Sequence, residues 1–173
     1  CERLVNAAVD RFGGLDVLAN CVGIAGIGKV TEINDADWNR CLDVDLKSMA
    51  FTAKFAVPQM ARSGGGSIIN ISTFAAFEPD PVFPTSGVFR AGLAAYTKLY
   101  SDKYAAENIR MNNVLPGFIN SLPEKAEFKD RIPMKRYGKT DEISATIAFL
   151  ASEGAGYITG QNIRVDGGIT RSV

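Results

Sequence analysis

The sequence predicts one doubly wound α/β domain, in which helices cover both faces of a parallel sheet. Short apolar runs alternate with helical patterns along the whole chain. The run Ser-Ile-Ile-Asn-Ile-Ser at 67–72 is too continuously apolar to have one face in water, which is typical of a strand inside a parallel sheet. The length of 173 residues, with no repeat or linker, suits a single domain.

Four strands are predicted, and each ends near a polar, glycine or proline residue. They cover 15–19, 67–72, 109–115 and 161–165. Sheets of this kind bind ligands beyond the carboxyl ends of their strands, so the loops after these four runs are the candidate site.

Helical patterns fill the intervals between the predicted strands. They cover 1–12, 35–62, 86–106 and 141–151. Asn34 and Asp35 are good capping residues for the second helix, and Thr140 is predicted to cap the last. The charged segment 120–139 is expected to be an irregular excursion over the surface.

Composition and charge exclude several functional classes. With 19 basic and 19 acidic side chains, nothing indicates binding to nucleic acid. The absence of histidine excludes Ser-His-Asp and Cys-His systems and the commonest zinc ligand, and we predict no metal site. No apolar run approaches the roughly 18 residues of a membrane span. Cys1, Cys21 and Cys41 show no disulfide framework, so we expect small buried thiols in a cytoplasmic protein.

A glycine-rich loop follows the first predicted strand. Gly23, Gly28 and Lys29 match a phosphate-loop pattern up to its last position, where Val30 lacks the hydroxyl that would hold magnesium. Gly26 and Gly28 also begin an incomplete dinucleotide fingerprint. Because no helix follows to direct its amide groups at a phosphate, an ordinary flexible loop is the favoured interpretation.

Five segments in register resemble the short-chain dehydrogenase/reductase family, in the family's order and across essentially the whole chain. They are Asn-Cys-Val-Gly at 20–23, Leu-Asp-Val-Asp-Leu at 42–46, Gly-Ser-Ile-Ile-Asn-Ile-Ser-Thr at 66–73, Asn-Ile-Arg-Met-Asn-Asn-Val-Leu-Pro-Gly at 108–117 and Ile-Thr-Gly-Gln-Asn-Ile-Arg-Val-Asp-Gly-Gly at 158–168. The resemblance implies that residues 1–173 form one Rossmann-like domain. It also implies that this domain is the carboxyl-terminal two-thirds of the family fold, without the first three strands and the phosphate loop.

The family's chemistry uses an Asn-Ser-Tyr-Lys tetrad. Its tyrosine exchanges a proton with the substrate oxygen while a nicotinamide exchanges hydride. Its lysine holds the ribose and lowers the tyrosine pKa, its serine binds the substrate oxygen, and its asparagine supports a proton-relay water. The matching positions here are Asp45, Thr73, Ser86 and Arg90, so all four are substituted.

These substitutions differ in severity. Thr73 keeps a hydroxyl, and Asp45 keeps an acceptor but adds charge. Arg90 can hold ribose hydroxyls but cannot relay a proton. Ser86 is the most serious loss, because it lacks the acidity that general acid catalysis favours near neutral pH. Ser86 is equally interpreted as a helix N-cap, and Arg90 as a surface or interface cation with Asp45 as its partner.

The resemblance also implies contacts with a bound NAD or NADP. It assigns the adenosine side to Asn20, Cys21, Val22 and Gly23, and the ribose to Arg90. The nicotinamide carboxamide is assigned to the proline-glycine segment and a following hydroxyl, which here are Pro116, Gly117, Phe118, Ile119 and Ser121. These positions match the family better than the catalytic ones.

Two functions remain open at the level of sequence. One is an NAD(P)-linked oxidoreductase acting on a carbonyl or secondary alcohol of a small molecule. The other is a non-catalytic protein on the same fold that binds a dinucleotide or another ligand, or that is regulatory. The resemblance implies a homodimer or homotetramer paired through the helices at 35–62 and 86–106. The stripe of Leu93, Thr97, Tyr100 and Tyr104 suits either such an interface or core packing.

Overall fold

The structure, a computed structural model, describes residues 1–24 and 30–172. The phosphate-loop and dinucleotide patterns at Gly26, Gly28 and Lys29 lie outside the described residues. Within the described ranges, four strands form one parallel sheet in the order β1-β2-β3-β4. They are β1 (Val17–Asn20), β2 (Gly66–Ile71), β3 (Ile109–Pro116) and β4 (Asn162–Val165). The predicted parallel α/β architecture is therefore confirmed.

Helices cover both faces of this sheet. They are α1 (Glu2–Phe12), α2 (Asp35–Leu42), α3 (Ser48–Arg62), α4 (Pro84–Tyr104), α5 (Ala126–Arg131) and α6 (Thr140–Ala151). A five-residue π-helical turn, Asp43–Lys47, joins α2 to α3, so the long helix predicted at 35–62 is interrupted at its centre.

Two details of the predicted helices are wrong. The segment 120–139 is not wholly irregular, because it contains α5. Thr140 does not cap α6 but is its first residue. The carboxylate of Glu142 instead accepts a hydrogen bond from the Lys139 N–H at 2.7 Å, which satisfies an amide that the helix leaves without a partner.

Successive residues of β2 show why its sequence is apolar throughout. Ile68 packs with α1, α3 and α4, whereas Ile69 packs with α6 on the opposite face, and both side chains are fully buried. Adjacent residues of a strand point to opposite faces, so both faces of β2 must be apolar. Burying each isoleucine contributes about 1.5 to 3 kcal/mol.

The stripe on α4 belongs to the core. Leu93, Thr97 and Tyr100 are buried, and Tyr104 packs against the same cluster as Tyr100. The alternative of core packing is therefore the one that the structure supports for this stripe. Other residues of α4, including Val88 and Leu99, are exposed on its outward face.

The structure tests two further expectations, that the thiols are buried and that the chain has no membrane span. All three cysteines are free, but Cys1 and Cys21 are exposed and only Cys41 is buried, so the expectation of buried thiols is wrong for two of them. Across residues 1–24 and 30–172, no helix has the length and apolar character needed to cross a membrane.

Candidate active site

The four positions that match the family's tetrad lie around the carboxyl ends of β1 and β2. Thr73 lies two residues after the end of β2, and the π-helical turn carries Asp45. Ser86 and Arg90 lie one turn apart on α4, on the side of that helix that is buried. Parallel strands bring their carboxyl ends to one edge of the sheet, which is why segments distant in sequence meet here.

Asp45 and Arg90 form a buried ion pair. Arg90 Nη2 lies 3.0 Å from Asp45 Oδ1, and the two side chains are 6% and 0% exposed. The Ile24 N–H donates to the same carboxylate oxygen at 2.9 Å. Burial raises the pKa of Asp45, although the hydrogen bonds from Ile24 and Arg90 act in the opposite direction. The expected partnership of the two residues is confirmed, but the interpretation of Arg90 as a surface or interface cation is wrong.

The Arg90 guanidinium also contacts the loop after β1 and the end of β2. Its Nη2 donates to the carbonyl oxygen of Val22 at 3.1 Å, and its Nη1 donates to that of Ile71 at 3.0 Å. Nη1 is also 3.3 Å from the sulfur of Met49. A side chain on α4 therefore joins the loop after β1, the last residue of β2 and the helix α3.

Ser86 contacts the same loop from the other side. Its hydroxyl donates to the Ile24 carbonyl oxygen at 3.3 Å, while the Ile24 N–H is held by Asp45. Three of the four tetrad positions, Asp45, Ser86 and Arg90, therefore meet near Ile24. No sequence pattern identifies Ile24, because it takes part only through its backbone. The interpretation of Ser86 as an N-cap is wrong. The helix begins at Pro84 with Phe83 before it, and proline suits the first turn because it has no N–H to satisfy.

Thr73 lies two residues after the end of β2 and caps a short 3₁₀ turn, Phe74–Ala76. Its hydroxyl oxygen accepts a hydrogen bond from the Ala75 N–H at 3.3 Å, and the residue is partly exposed. The hydroxyl hydrogen remains available to a ligand, because this contact uses the oxygen only as an acceptor.

None of the tyrosines replaces the missing phenol at this edge. Tyr96, Tyr100 and Tyr104 pack along α4 with their rings tilted against one another, and the Tyr100 hydroxyl donates to the Ala53 carbonyl oxygen at 3.1 Å. Desolvation raises the pKa of Tyr100. The Tyr137 hydroxyl is engaged with the backbone of Lys125, and Tyr157 is fully exposed.

The predicted adenosine-side residues form an exposed loop above a buried asparagine. Cys21, Val22 and Gly23 are exposed, whereas Asn20 is buried and its amide nitrogen donates to Asn70 Oδ1 at 2.8 Å. Gly23 lies against the Arg90 guanidinium, and a Cβ added there would overlap Nη2. Only glycine fits at that position while Arg90 keeps its contacts.

The predicted carboxamide-side segment follows β3 at the same edge. The Gly117 N–H donates to the Val165 carbonyl oxygen at 3.2 Å, and a Cβ on Gly117 would lie 2.9 Å from the backbone of Asp166. Pro116, Phe118 and Ile119 are partly exposed, and Ser121 is exposed. This segment is therefore packed closely against the loop after β4 while part of its surface faces outward.

A cavity of about 430 Å³ opens beside Phe74, the residue that follows Thr73. Its lining comes from the proline-rich loop after β2, from α5 and from the chain after β4, and comprises Phe74, Glu78, Pro79, Asp80, Pro81, Arg131, Ile169 and Arg171. Arg131 Nη2 lies 2.7 Å from Asp80 Oδ2, so an ion pair joins two of these walls. Among the described residues, no group of three or more Cys, Asp or Glu side chains could hold a metal ion.

The parallel sheet, with helices on both faces and a site at its carboxyl edge, defines a Rossmann-like α/β protein. A family model described as enoyl-(acyl carrier protein) reductase matches residues 1–170. With the relatives described next, this match shows that the chain belongs to the short-chain dehydrogenase/reductase family.

Curated relatives and solved structures agree on this family. The chain is 35% identical to 3-oxoacyl-(acyl-carrier-protein) reductase FabG of Thermotoga maritima, over 97% of this chain and 71% of that protein. A putative short-chain alcohol dehydrogenase from Sinorhizobium meliloti superposes with a TM-score of 0.93 and 30% identity, over 100% of this chain and 72% of that one. The structure described as ElxO with NADP bound superposes with a TM-score of 0.92 and 28% identity, over 97% of this chain and 72% of that one.

Proposed function

We propose that this oxidoreductase family member transfers hydride between NAD or NADP and a carbonyl or secondary alcohol of a small molecule. The observation that carries the proposal is the convergence of three features at one sheet edge. These are the exposed loop after β1, the proline-glycine segment at the end of β3 and the hydroxyl of Thr73. The similarity to a structure with bound NADP supports the choice of cofactor class.

The residues at this edge fit a dinucleotide in part. Cys21, Val22 and Gly23 offer exposed backbone for the adenosine side, and residues 116–119 with Ser121 offer a surface for the carboxamide. Arg90 does not fit the role of ribose ligand, because its Nη hydrogens are directed at protein acceptors. When bound, the cofactor supplies or accepts the hydride.

One hydroxyl orients the substrate in this proposal. Thr73 donates its free hydroxyl hydrogen to the substrate oxygen, whereas the single hydroxyl hydrogen of Ser86 is donated to the Ile24 carbonyl oxygen. The Thr73 hydroxyl is not acidic near neutral pH, so water delivers the proton. We therefore expect slower turnover than a site with a tyrosine acid would give. The cavity lined by Phe74, the residue that follows Thr73, is the proposed substrate pocket.

A hydride-transfer assay on the intact protein tests this proposal. NADH and NADPH oxidation is followed with a panel of ketones and aldehydes, and reduction of the oxidised cofactors with the matching alcohols. We expect turnover with one cofactor, and Thr73→Ala to reduce kcat/KM by about tenfold or more, the effect of losing one hydrogen bond to a developing charge. Ser144→Ala on the exposed surface of α6 is the control. No turnover with any cofactor and substrate pair would contradict the proposal.

The second candidate is a non-catalytic dinucleotide-binding protein. Two observations favour it, the absence of a phenol at the edge and the engagement of Arg90 with the protein. Fluorescence titration with NADH and NADPH distinguishes the candidates, because this function predicts saturable binding in a protein that turns over no substrate. Failure to bind either dinucleotide would exclude it.

We also propose that the protein forms a homodimer or homotetramer in the cytoplasm. The outward face of α4 supports pairing, because a stripe of exposed apolar or small residues runs along it at helical spacing. The stripe comprises Val88, Ala91, Gly92, Ala95 and Leu99. Val88 and Leu99 are 55% and 69% exposed in the single chain. Such a face packs closely against a second copy of the same helix.

A further inference from the structure

We propose that Arg90 is a positioning residue rather than a cofactor ligand, and that it acts together with Asp45. Arg90 supports the exposed loop 21–24 from beneath, through Val22 and through the carboxylate that holds Ile24. The proposal rests on the proposed function only in that this loop is the surface offered to the dinucleotide.

The hydrogen-bond geometry of Arg90 is the first argument. A guanidinium has five N–H donors, four of them on its Nη atoms. Nη1 is directed at Ile71 and Met49, and Nη2 is directed at Val22 and Asp45. To reach a ribose hydroxyl, Arg90 would have to give up contacts with the buried Asp45 carboxylate or with partly buried backbone carbonyl groups.

The shape of lysine gives the second argument. A lysine ammonium has three donors on one atom, whereas the planar guanidinium reaches acceptors on two sides. The acceptors here belong to the loop after β1, to the end of β2 and to the π-helical turn, so lysine at position 90 cannot satisfy them all. Arginine at this position is therefore suited to joining segments of the protein.

Asp45 completes the arrangement. Its carboxylate neutralises the buried guanidinium, and its Oδ1 fixes the Ile24 N–H while Ser86 contacts the Ile24 carbonyl. Gly23 lies against the guanidinium, so the loop cannot move inward without meeting it. Asp45 and Arg90 consequently fix the position of residues 21–24 relative to the sheet.

Amide hydrogen exchange of the cofactor-free, intact protein tests this role first. In Arg90→Lys and in Asp45→Asn, the Ile24 N–H is expected to exchange at least about tenfold faster, as the loss of one hydrogen bond to a charged group would produce. In the double variant, the Ile24 N–H is expected to exchange little faster than in either single variant, because both residues act through the hydrogen bond from Ile24 to Asp45. Arg110→Lys is the control, since Arg110 donates to the carbonyls of Leu150 and Ser152 away from this loop. Unchanged Ile24 exchange in Arg90→Lys would overturn the proposal.

Ligand binding then separates positioning from direct contact. ADP lacks the nicotinamide ribose, so an arginine that held that ribose would leave ADP affinity unchanged. We expect Arg90→Lys to weaken ADP and the dinucleotide by the same factor, because the loop serves both. Loss of dinucleotide affinity alone would overturn the proposal. If the wild-type protein binds neither dinucleotide, the proposed function fails, and the Ile24 exchange rates decide this inference without it.

The wild-type protein provides a measurement that needs no variant. The Nη hydrogens of Arg90, observed by ¹⁵N NMR, are expected to exchange slowly with water and to keep their chemical shifts at saturating NADPH. A large shift of the Arg90 Nη signals, with those of Arg110 unchanged, would show direct contact and overturn the proposal.

Discussion

Asn70 and Asn113 lie side by side on neighbouring strands, and the amide nitrogen of Asn70 donates to the side-chain oxygen of Asn113 at 3.0 Å. The same contact joins Asn20 to Asn70 at 2.8 Å and Asn113 to Asn162 at 2.8 Å. Each pair is in register, so the four amides form a ladder across the whole described sheet. This ladder explains how asparagine is tolerated in strands that are otherwise apolar.

Asn113→Ala is expected to destabilise the protein by about 2 to 4 kcal/mol, because it leaves buried donors without their acceptor. Those donors are the amide of Asn70 and the hydroxyl of Thr97, which lies 2.9 Å from the same oxygen. Urea denaturation measures the free energy of unfolding. The control is Asn39→Ala on the exposed surface of α2, which should change it by less than about 0.5 kcal/mol. Equal effects of the two substitutions would contradict a structural role for the ladder.

The fold could be predicted because its signals are local. Ile68 and Ile69 are adjacent and apolar, which already indicates a strand covered on both faces. The ladder was not predicted, because which asparagines pair depends on register between strands that are distant in sequence. The helix α5 was missed because its six residues are too few to show a helical period.

The candidate site was predicted as a set of positions but not as a set of contacts. The resemblance identified Asp45, Thr73, Ser86 and Arg90, and three of these meet near Ile24. Ile24 takes part only through its backbone, which sequence cannot reveal. The burial of Arg90 was also beyond sequence, because an arginine on a helix is ordinarily exposed and only the tertiary structure supplies its acceptors.

Gly23→Ala is expected to destabilise the protein by about 1 to 3 kcal/mol, because the added methyl displaces a guanidinium held by several hydrogen bonds. Gly87→Ala is the matched control. Its Cβ would meet the Ala75 carbonyl oxygen at an ordinary 3.5 Å inside α4, so it should stabilise the chain by about 0.5 to 1 kcal/mol. Thermal and urea denaturation measure both. A neutral Gly23→Ala would show that Arg90 moves aside at little cost.

Acid should weaken the link between the proline-rich loop and α5. Burial alone would raise the pKa of Asp80, but hydrogen bonds from the Val82 N–H and Arg131 lower it below its usual 3.8. A carboxylate with a lowered pKa stabilises the fold above its usual pKa, and this contribution is lost as pH falls through the folded-state value.

The unfolding free energies of the wild type and of Asp80→Asn are therefore expected to converge as pH falls from about 6 to about 3. Urea denaturation at each pH measures both. Asn39→Ala, at an exposed position on α2, should parallel the wild type throughout. A constant difference between the wild type and Asp80→Asn across this range would contradict the predicted contribution of the ionised carboxylate.

Leu99→Glu is expected to weaken the proposed self-association through α4 by at least about tenfold, because pairing would desolvate the new charge. Light scattering coupled to size exclusion, over a range of concentrations, measures the dissociation. Leu122→Glu is the matched control, since Leu122 is 72% exposed against 69% for Leu99 but lies outside the stripe on α4. A wild-type protein that is monomeric at all concentrations, or an assembly that Leu99→Glu leaves intact, would exclude pairing through this face.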